Sequence, residues 1–217
     1  VGQSFVLKEF ITLSGDTNPA NDTLMFIVHN NHSVNTYPYF EDFEADSGYW
    51  VTEWMNHLDP GTSWEWGVAS KTLINEDISG NKCWVTDLDS IHLSPEDSYI
   101  MGPCFDFSAV ALPVLEFDIW YETGVNDFVN VEYNTINNPE GWPVWHQIGD
   151  VGTGFNWYNT PPGYAEAGWN GSSGGWIHVR HPLDSVAGDP WVQLRIKMIG
   201  GVGVSAEGVA IDNIRIT

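Results

Sequence analysis

Glu116, Asp118 and Glu122 stand at even spacings in the run PVLEFDIWYE, residues 113–122. Carboxylates in pairs can hydrolyse glycosidic bonds, one as acid and one as base or nucleophile. In a β-strand, residues two apart share a face. Leu115, Phe117, Ile119 and Tyr121 then form one face, and Glu116, Asp118, Trp120 and Glu122 the other. The carboxylates line one face, as that chemistry requires, but their separation does not suit it. At about 3.3 Å per residue, Glu116 and Glu122 lie roughly 20 Å apart. A retaining pair needs about 5–5.5 Å and an inverting pair about 6.5–9.5 Å. Glu116 and Asp118 come nearer, but neighbours on one flat strand do not flank a bond. The run is expected to be a sandwich strand with an apolar inner face and an acidic outer one.

Other catalytic patterns fail in the same way. No HExxH run is present, so a zincin site is not expected. His178 and His181 fall on opposite faces of a strand, out of reach of one metal. NGSSGG, 170–175, lacks the strand–turn–helix setting of a nucleophile elbow. No glycine-rich loop opens a helix to cradle phosphate. The expectation is a protein that is not an enzyme.

A metal is the next possibility. In the closing run EGVAIDNIRIT, alternation puts Asp212 on one face with Ala210, Ile214 and Ile216. A buried carboxylate is costly unless paired with a cation or well hydrogen-bonded. The chain has 29 Asp+Glu against 7 Lys+Arg, so protein cations are scarce. Oxygen-rich sites suit Ca²⁺, which takes 6–8 oxygens at about 2.3–2.6 Å. First and last strands of a jelly roll commonly lie side by side, which would bring Glu41, Asp42 and Glu44 of FEDFE near Asp212. Alternation does not say which of the three coordinates. Asp87, Asp89 and the acidic turn 122–127 are reserve ligands, and a turn-capping role for Asp212 is the alternative.

Aromatic residues supply the third chemistry. Twelve tryptophans are many for 217 residues, and several adjoin Gly, Asn and Pro. Sugars stack their apolar faces on such rings, which lose little entropy on binding. Trp157, Tyr158, Tyr164 and Trp169 in the 155–176 segment are the candidate ligand-binding residues. Trp50, Trp84, Trp120, Trp176 and Trp191 fall in strand-like text and read as core or sheet cover.

These groups need a scaffold, and composition indicates which. Short runs rich in Val, Ile, Phe, Trp and Tyr alternate with Asn, Asp, Gly and Pro clusters, and no stretch has helical period. The expected fold is all-β: a two-sheet antiparallel sandwich, or jelly roll, with an N-terminal hairpin. Residues 1–36 read as that hairpin plus a linker, and 37–217 as one domain. Cys83 and Cys104 are expected to flank a hairpin; a disulfide there would close a loop of roughly 20 residues, and two buried thiols are the alternative. A net charge of −22 repels nucleic acid and anionic membranes. No apolar run is long enough to span a bilayer. The chain does not begin with Met and reads as a piece of something larger.

The ordered series FEDFE, WVTDLDS, YIMGPCFDFS, LEFDIWYETGVNDFVNVEY, WNGSSGGW, VQLRIKM and EGVAIDNIRI resembles the MAM-like jelly rolls of secreted bacterial proteins. These include domains of immune-inhibitor-A-type proteases and, more distantly, cleaved adhesins; the four-cysteine framework of eukaryotic MAM domains is absent. LSGDTNPANDTLMFIV resembles the closing hairpin of Ig-like modules of the CARDB type. The resemblance implies a structural Ca²⁺ held by the opening FE and closing ID motifs, here Phe40–Glu41 and Ile211–Asp212. It also implies that the GW…GW hairpin is a fold element. The resulting expectation is a calcium-stabilised, non-catalytic binding or adhesion module of a larger secreted or cell-surface protein, taking polysaccharide or glycoprotein. A structural accessory domain of a secreted protease is the second reading and a β-sandwich glycosidase the third.

Overall fold

The computed structural model describes residues 4–10, 15, 23–29, 32–54, 61–76, 78–135, 144–160, 166–203 and 206–217. Strands β1 (Ser4–Phe10) and β2 (Thr23–His29) pair antiparallel with each other as a separate two-stranded sheet. The remaining strands build two packed sheets, so the fold is a β-sandwich. They are β3 (Ser33–Val34), β4 (Tyr39–Glu41), β5 (Val51–Trp54), β6 (Trp64–Gly67), β7 (Cys83–Thr86) and β8 (Glu96–Phe105). After these come β9 (Val114–Glu122), β10 (Phe128–Thr135), β11 (His146–Gln147), β12 (Ile177–Pro182), β13 (Val192–Gly200) and β14 (Gly208–Ile216). The first sheet runs β11-β10-β13-β8-β3, with β5 also on β8; the second runs β12-β9-β14-β7-β6, with β4 also on β14. Among the described residues, no helix is long and apolar enough to cross a membrane.

Alternation drives the packing. Val129, Val131, Leu194, Ile196 and Met198 of the first sheet meet Phe117, Ile119, Val209, Ile211, Ile214 and Ile216 of the second in one core. Each such side chain contributes about 1.5–3 kcal/mol when fully buried.

Three expectations change here. Ser33–Val34, read as linker, is a sandwich strand: β3 pairs in parallel with Cys104–Phe105 of β8. Cys83 and Cys104 do not flank a hairpin, because β7 belongs to the second sheet and β8 to the first. Both are buried and no disulfide joins them.

Asp212 also departs from simple alternation. It pairs across the sheet with Asp118, while Arg215 pairs with Glu116, so β14 carries an extra residue between them. Asn213 takes the left-handed conformation, φ 53°, at this bulge. A bulge shifts the alternation by one residue. Ile214 and Ile216 therefore face the core, whereas Asp212 faces outward beside Asp118.

Candidate functional site

The outer face of the second sheet can be built from the registers of β12, β9 and β14. His178 pairs with Asp118 and Asp118 with Asp212; Arg180 pairs with Glu116 and Glu116 with Arg215. The three carboxylates of β9 are thus on one face, and His178 lies between two of them, 3.0 Å from Asp118 and 3.9 Å from Glu116. Arg180 Nε lies 3.0 Å from a Glu116 oxygen. His178 Nδ1 lies 3.0 Å from Asp118 Oδ1, and Asn213 Nδ2 donates to Asp118 Oδ2 at 2.9 Å. Glu122 Oε1 accepts from Trp120 Nε1 at 3.2 Å and from the Ser172 hydroxyl at 2.9 Å.

Beyond Asp118, this face becomes aromatic. Trp120 and Trp176, one residue before β12, lie 6.1 Å apart with ring planes at 71°. The segment after β6 folds over this end of the sheet, and Ala69, Ile74, Cys83, Val85, Trp120 and Ala210 form a second small core beneath it. Between that segment and the 172–176 turn lies a groove of about 680 Å³. Thr72, Leu73, Asn75 and Glu76 form one wall, and Glu122, Ser172 and Trp176 the other. Its volume is in the range of small-ligand sites, about 300–1,000 Å³.

Both walls are fixed by hydrogen bonds. Glu207 accepts from the Leu73 amide at 3.0 Å and the Ile74 amide at 2.8 Å. The buried Lys71 ammonium donates to the carbonyls of Thr86 and Glu207. Burial lowers its pKa to about 8, although the charges of Asp87 and Glu207 oppose the shift. Opposite, Thr123 N donates to Gly171 O at 2.7 Å and Ser173 N to Tyr121 O at 3.0 Å. Trp176 Nε1 spans the two walls, donating to Glu76 O at 2.7 Å.

The residues expected to stack on a ligand are elsewhere. Trp157 and Trp169 are each 1% exposed and Tyr158 5%. Trp157 and Trp169 meet edge-on at 5.0 Å, and both pack edge-on against Phe117. The Trp157 indole N–H donates to Ile148 O and that of Trp169 to Asn156 O, each at 2.9 Å. These rings close the end of the core and cannot meet a sugar; Tyr164 lies outside the described residues.

Of the expected metal ligands, the fold brings some together. β4 pairs with β14, Glu41 opposite Ile214, so the opening and closing motifs are adjacent. Glu41 and Asp42 turn back on their own backbone, accepting from Phe43 N at 2.9 Å and Glu44 N at 3.2 Å. Burial raises the Glu41 pKa, against the Phe43 hydrogen bond. Glu44 reaches across to the 79–82 turn, accepting from Asn81 N at 2.8 Å and Lys82 N at 2.7 Å. Those bonds hold its carboxyl below the usual range. A Cβ at Gly80, φ +97°, would meet that carboxylate at 2.4 Å, so the turn needs glycine there. Asp212, 1% exposed, accepts from the Ser79 hydroxyl at 2.8 Å and from its neighbour Asn213 N at 2.7 Å. Burial, with the charges of Asp118 and Glu44, pushes its carboxyl up to about 7. Among the described residues no three His, Cys, Asp or Glu side chains are gathered as a ready metal cage.

The outer face of the first sheet is built differently. Arg195 is 2% exposed and pairs with Glu132. Its guanidinium lies 4.1 Å from the centre of the Trp145 ring and 4.5 Å from that of Tyr99. Tyr99 donates to Glu53 at 2.7 Å, and Lys197 lies 3.4 Å from Asp97. Asn130 Oδ1 and Gln193 Nε2 are enclosed here without a hydrogen-bond partner among the described residues.

No protein-family model matches this sequence, and no curated protein matches it. Solved structures with a similar fold include adhesin domains, carbohydrate-binding modules and the enzymatically active domain of bacteriophage CBA120 tailspike protein 4. The K1 cleaved adhesin domain of Lys-gingipain from Porphyromonas gingivalis W83 is 17% identical; the match covers 84% of this chain and 98% of that one, with TM-score 0.48. The C-terminal family 22 carbohydrate-binding module of Clostridium thermocellum Xyn10B is 10% identical, over 82% and 92%, with TM-score 0.48. The CBM22-1 xylan-binding domain of Paenibacillus barcinonensis Xyn10C is 9% identical, over 82% and 91%, with TM-score 0.44. Likeness at this level concerns the fold; function is read from this chain's own geometry.

Proposed function

We propose that this chain is a non-catalytic saccharide-binding module, holding its ligand in the groove between the 72–76 wall and the 172–176 turn. One observation carries the reading: Trp120, Trp176 and Glu122 converge at an open groove whose walls are hydrogen-bonded in place. An indole offers a sugar its apolar face, and the carboxylate accepts from hydroxyl groups. A fixed groove also loses little entropy on binding. The carboxylates of β9 are all engaged by neighbouring side chains, Arg180, His178, Asn213, Trp120 and Ser172, and stand in a row on one strand, which favours binding over glycoside hydrolysis. The test is retention on polysaccharide by affinity electrophoresis, comparing the parent with Trp176→Ala. Loss of at least tenfold in affinity, about 1.4 kcal/mol, is expected from the folded variant, beside a modest loss of stability because Trp176 also packs on the small core and bonds Glu76. Equal retention by both proteins would refute this placement.

Calcium stabilisation is part of the same proposal, with Glu44 and Asp212 as carboxylate ligands and the Ser79 hydroxyl beside them. The donors fit a hard cation in type, being oxygen. Support comes from Asp212: a carboxylate pushed up to about 7 by burial and like charge is relieved by a cation. Glu44 is chosen over Glu41 and Asp42 because its charge acts on Asp212, whereas those two accept from amides of their own turn. We further propose that the module works outside the cell within a larger adhesin or hydrolase, β1 and β2 closing a preceding Ig-like unit.

A further inference from the structure

We infer that the Trp176 groove takes a non-anionic glycan as a single soluble chain, and excludes both acidic polysaccharides and the flat faces of crystalline ones. This rests on the saccharide-binding reading and narrows its ligand class.

Ring geometry decides the physical form of the ligand. A crystalline polysaccharide presents a plane of sugar rings, which needs several aromatic rings lying in one plane. Here the two indoles meet at 71° and Trp120 is only 9% exposed. The second ring therefore cannot extend a platform begun by the first. The groove lies open between Leu73 and the 172–176 turn, with no coplanar pair of rings along it to meet a flat face. One chain, turning its edge into the groove, can enter.

Charge decides the chemical class. Among the described residues the lining carries Glu76 and Glu122 and no Lys, Arg or His. The whole chain adds a net charge of −22. A uronate or sulfate group would enter a negative site with no cation to pair with, and an unpaired charge moved out of water is strongly disfavoured. At about 0.15 M salt the repulsion acts over about 8 Å.

Hydrogen-bond roles agree with both points. Glu122 Oε1 already accepts from Trp120 and Ser172, which leaves Oε2 as an acceptor towards the groove. Asn75 Nδ2 donates to Thr72 O at 3.0 Å, leaving its amide oxygen as a second acceptor. Trp176 Nε1 is used by Glu76 O. Oxygen acceptors suit ligand hydroxyls, which donate, and do not suit carboxylate or sulfate oxygens, which only accept.

The experiment sets the full chain against three panels. They are soluble neutral glycans (xylan, mixed-linkage β-glucan, mannan), soluble anionic ones (polygalacturonate, alginate), and microcrystalline cellulose and chitin. Parent, Trp176→Ala and Asn75→Ala are compared; the last lies on an exposed wall and spares the small core. Retention confined to one or more soluble neutral glycans, reduced at least tenfold in Trp176→Ala and by a smaller factor in Asn75→Ala, is expected. Trp176-dependent retention on an anionic or crystalline polymer would overturn the inference while leaving the saccharide reading in place. Failure of the folded parent to bind any panel would remove the saccharide reading and the inference with it.

Discussion

The two sheets of the sandwich turn different outer faces to their surroundings. On the first, Arg195 is enclosed between two rings and paired with Glu132, and the neighbouring polar groups are buried. On the second, acidic side chains outnumber basic ones, Asp212 lacks a cation among the described residues, and a groove opens beside Trp176. Ion pairs and ring contacts close the first face, even though Asn130 Oδ1 and Gln193 Nε2 lack partners there; under the proposed reading, the exposed acceptors beside Trp176 are what the second binds with. The contrast teaches that buried polarity and binding capacity are separate properties in this fold.

The largest expected effect tests the closed face. Glu132→Ala leaves Arg195 buried without its partner and should cost about 3–5 kcal/mol in denaturant unfolding. Replacing both, Glu132→Leu with Arg195→Met, should recover most of that loss. Neither change should alter saccharide affinity of the folded protein; if affinity falls, the closed face binds as well. Of similar size, Trp157→Ala should cost about 3–5 kcal/mol by emptying the core beside Phe117. Measured on the folded fraction, its affinity should stay at the parent level, unlike that of Trp176→Ala.

Asp212 tests the open face. A carboxyl held higher in the fold than in the unfolded chain favours folding while protonated, below about pH 4, and that advantage is lost as pH rises through about 7. In chelator, Asp212→Asn should therefore gain stability over the parent across that window. Calcium should close the gap by stabilising the parent alone. Parallel melting curves, with or without calcium, would remove the metal from the proposal.

The smallest effect concerns His92, which is buried between Asp127 and Glu96. Burial disfavours its charge, but hydrogen bonds to Asp127 and Glu96 outweigh that and hold its pKa up at about 9. Its contribution is complete below about pH 6.5 and disappears as pH passes about 9. Lys71, lowered to about 8, acts in the opposite sense above that pH. The difference between parent and His92→Gln in unfolding free energy should consequently shrink between pH 6.5 and 9, and a constant difference would show that His92 is not charged in the fold.

Much of the sandwich was legible because alternation is a local signal. LEFDIWYE gave the inner and outer faces of β9 correctly, and the adjacency of the opening and closing motifs followed from jelly-roll topology. Asp212 was assigned to the wrong neighbours because one left-handed residue, Asn213, shifts the alternation, and Asn is compatible with either conformation. Trp157 and Trp169 sit in glycine- and asparagine-rich text that reads as an exposed loop, yet the segment folds over Phe117 and buries both. The groove could not be read at all. Its walls meet through Trp176 and Glu76, 100 residues apart in sequence, and no local pattern records a contact at that distance. The one available signal was Trp176 at the start of a strand, in register with Trp120 on the acidic face.

The entry of the chain into the sandwich has a mechanical consequence. β3, its first strand, lies on the first sheet, and β14, its last, on the second. Val34 and Ile216 on these strands are both anchored in the shared core. Beyond β3 the chain passes at once into β4, whose Tyr39 lies opposite Ile216 of β14, so tension between the two ends loads that antiparallel ladder from one end and opens it pair by pair before the core is strained.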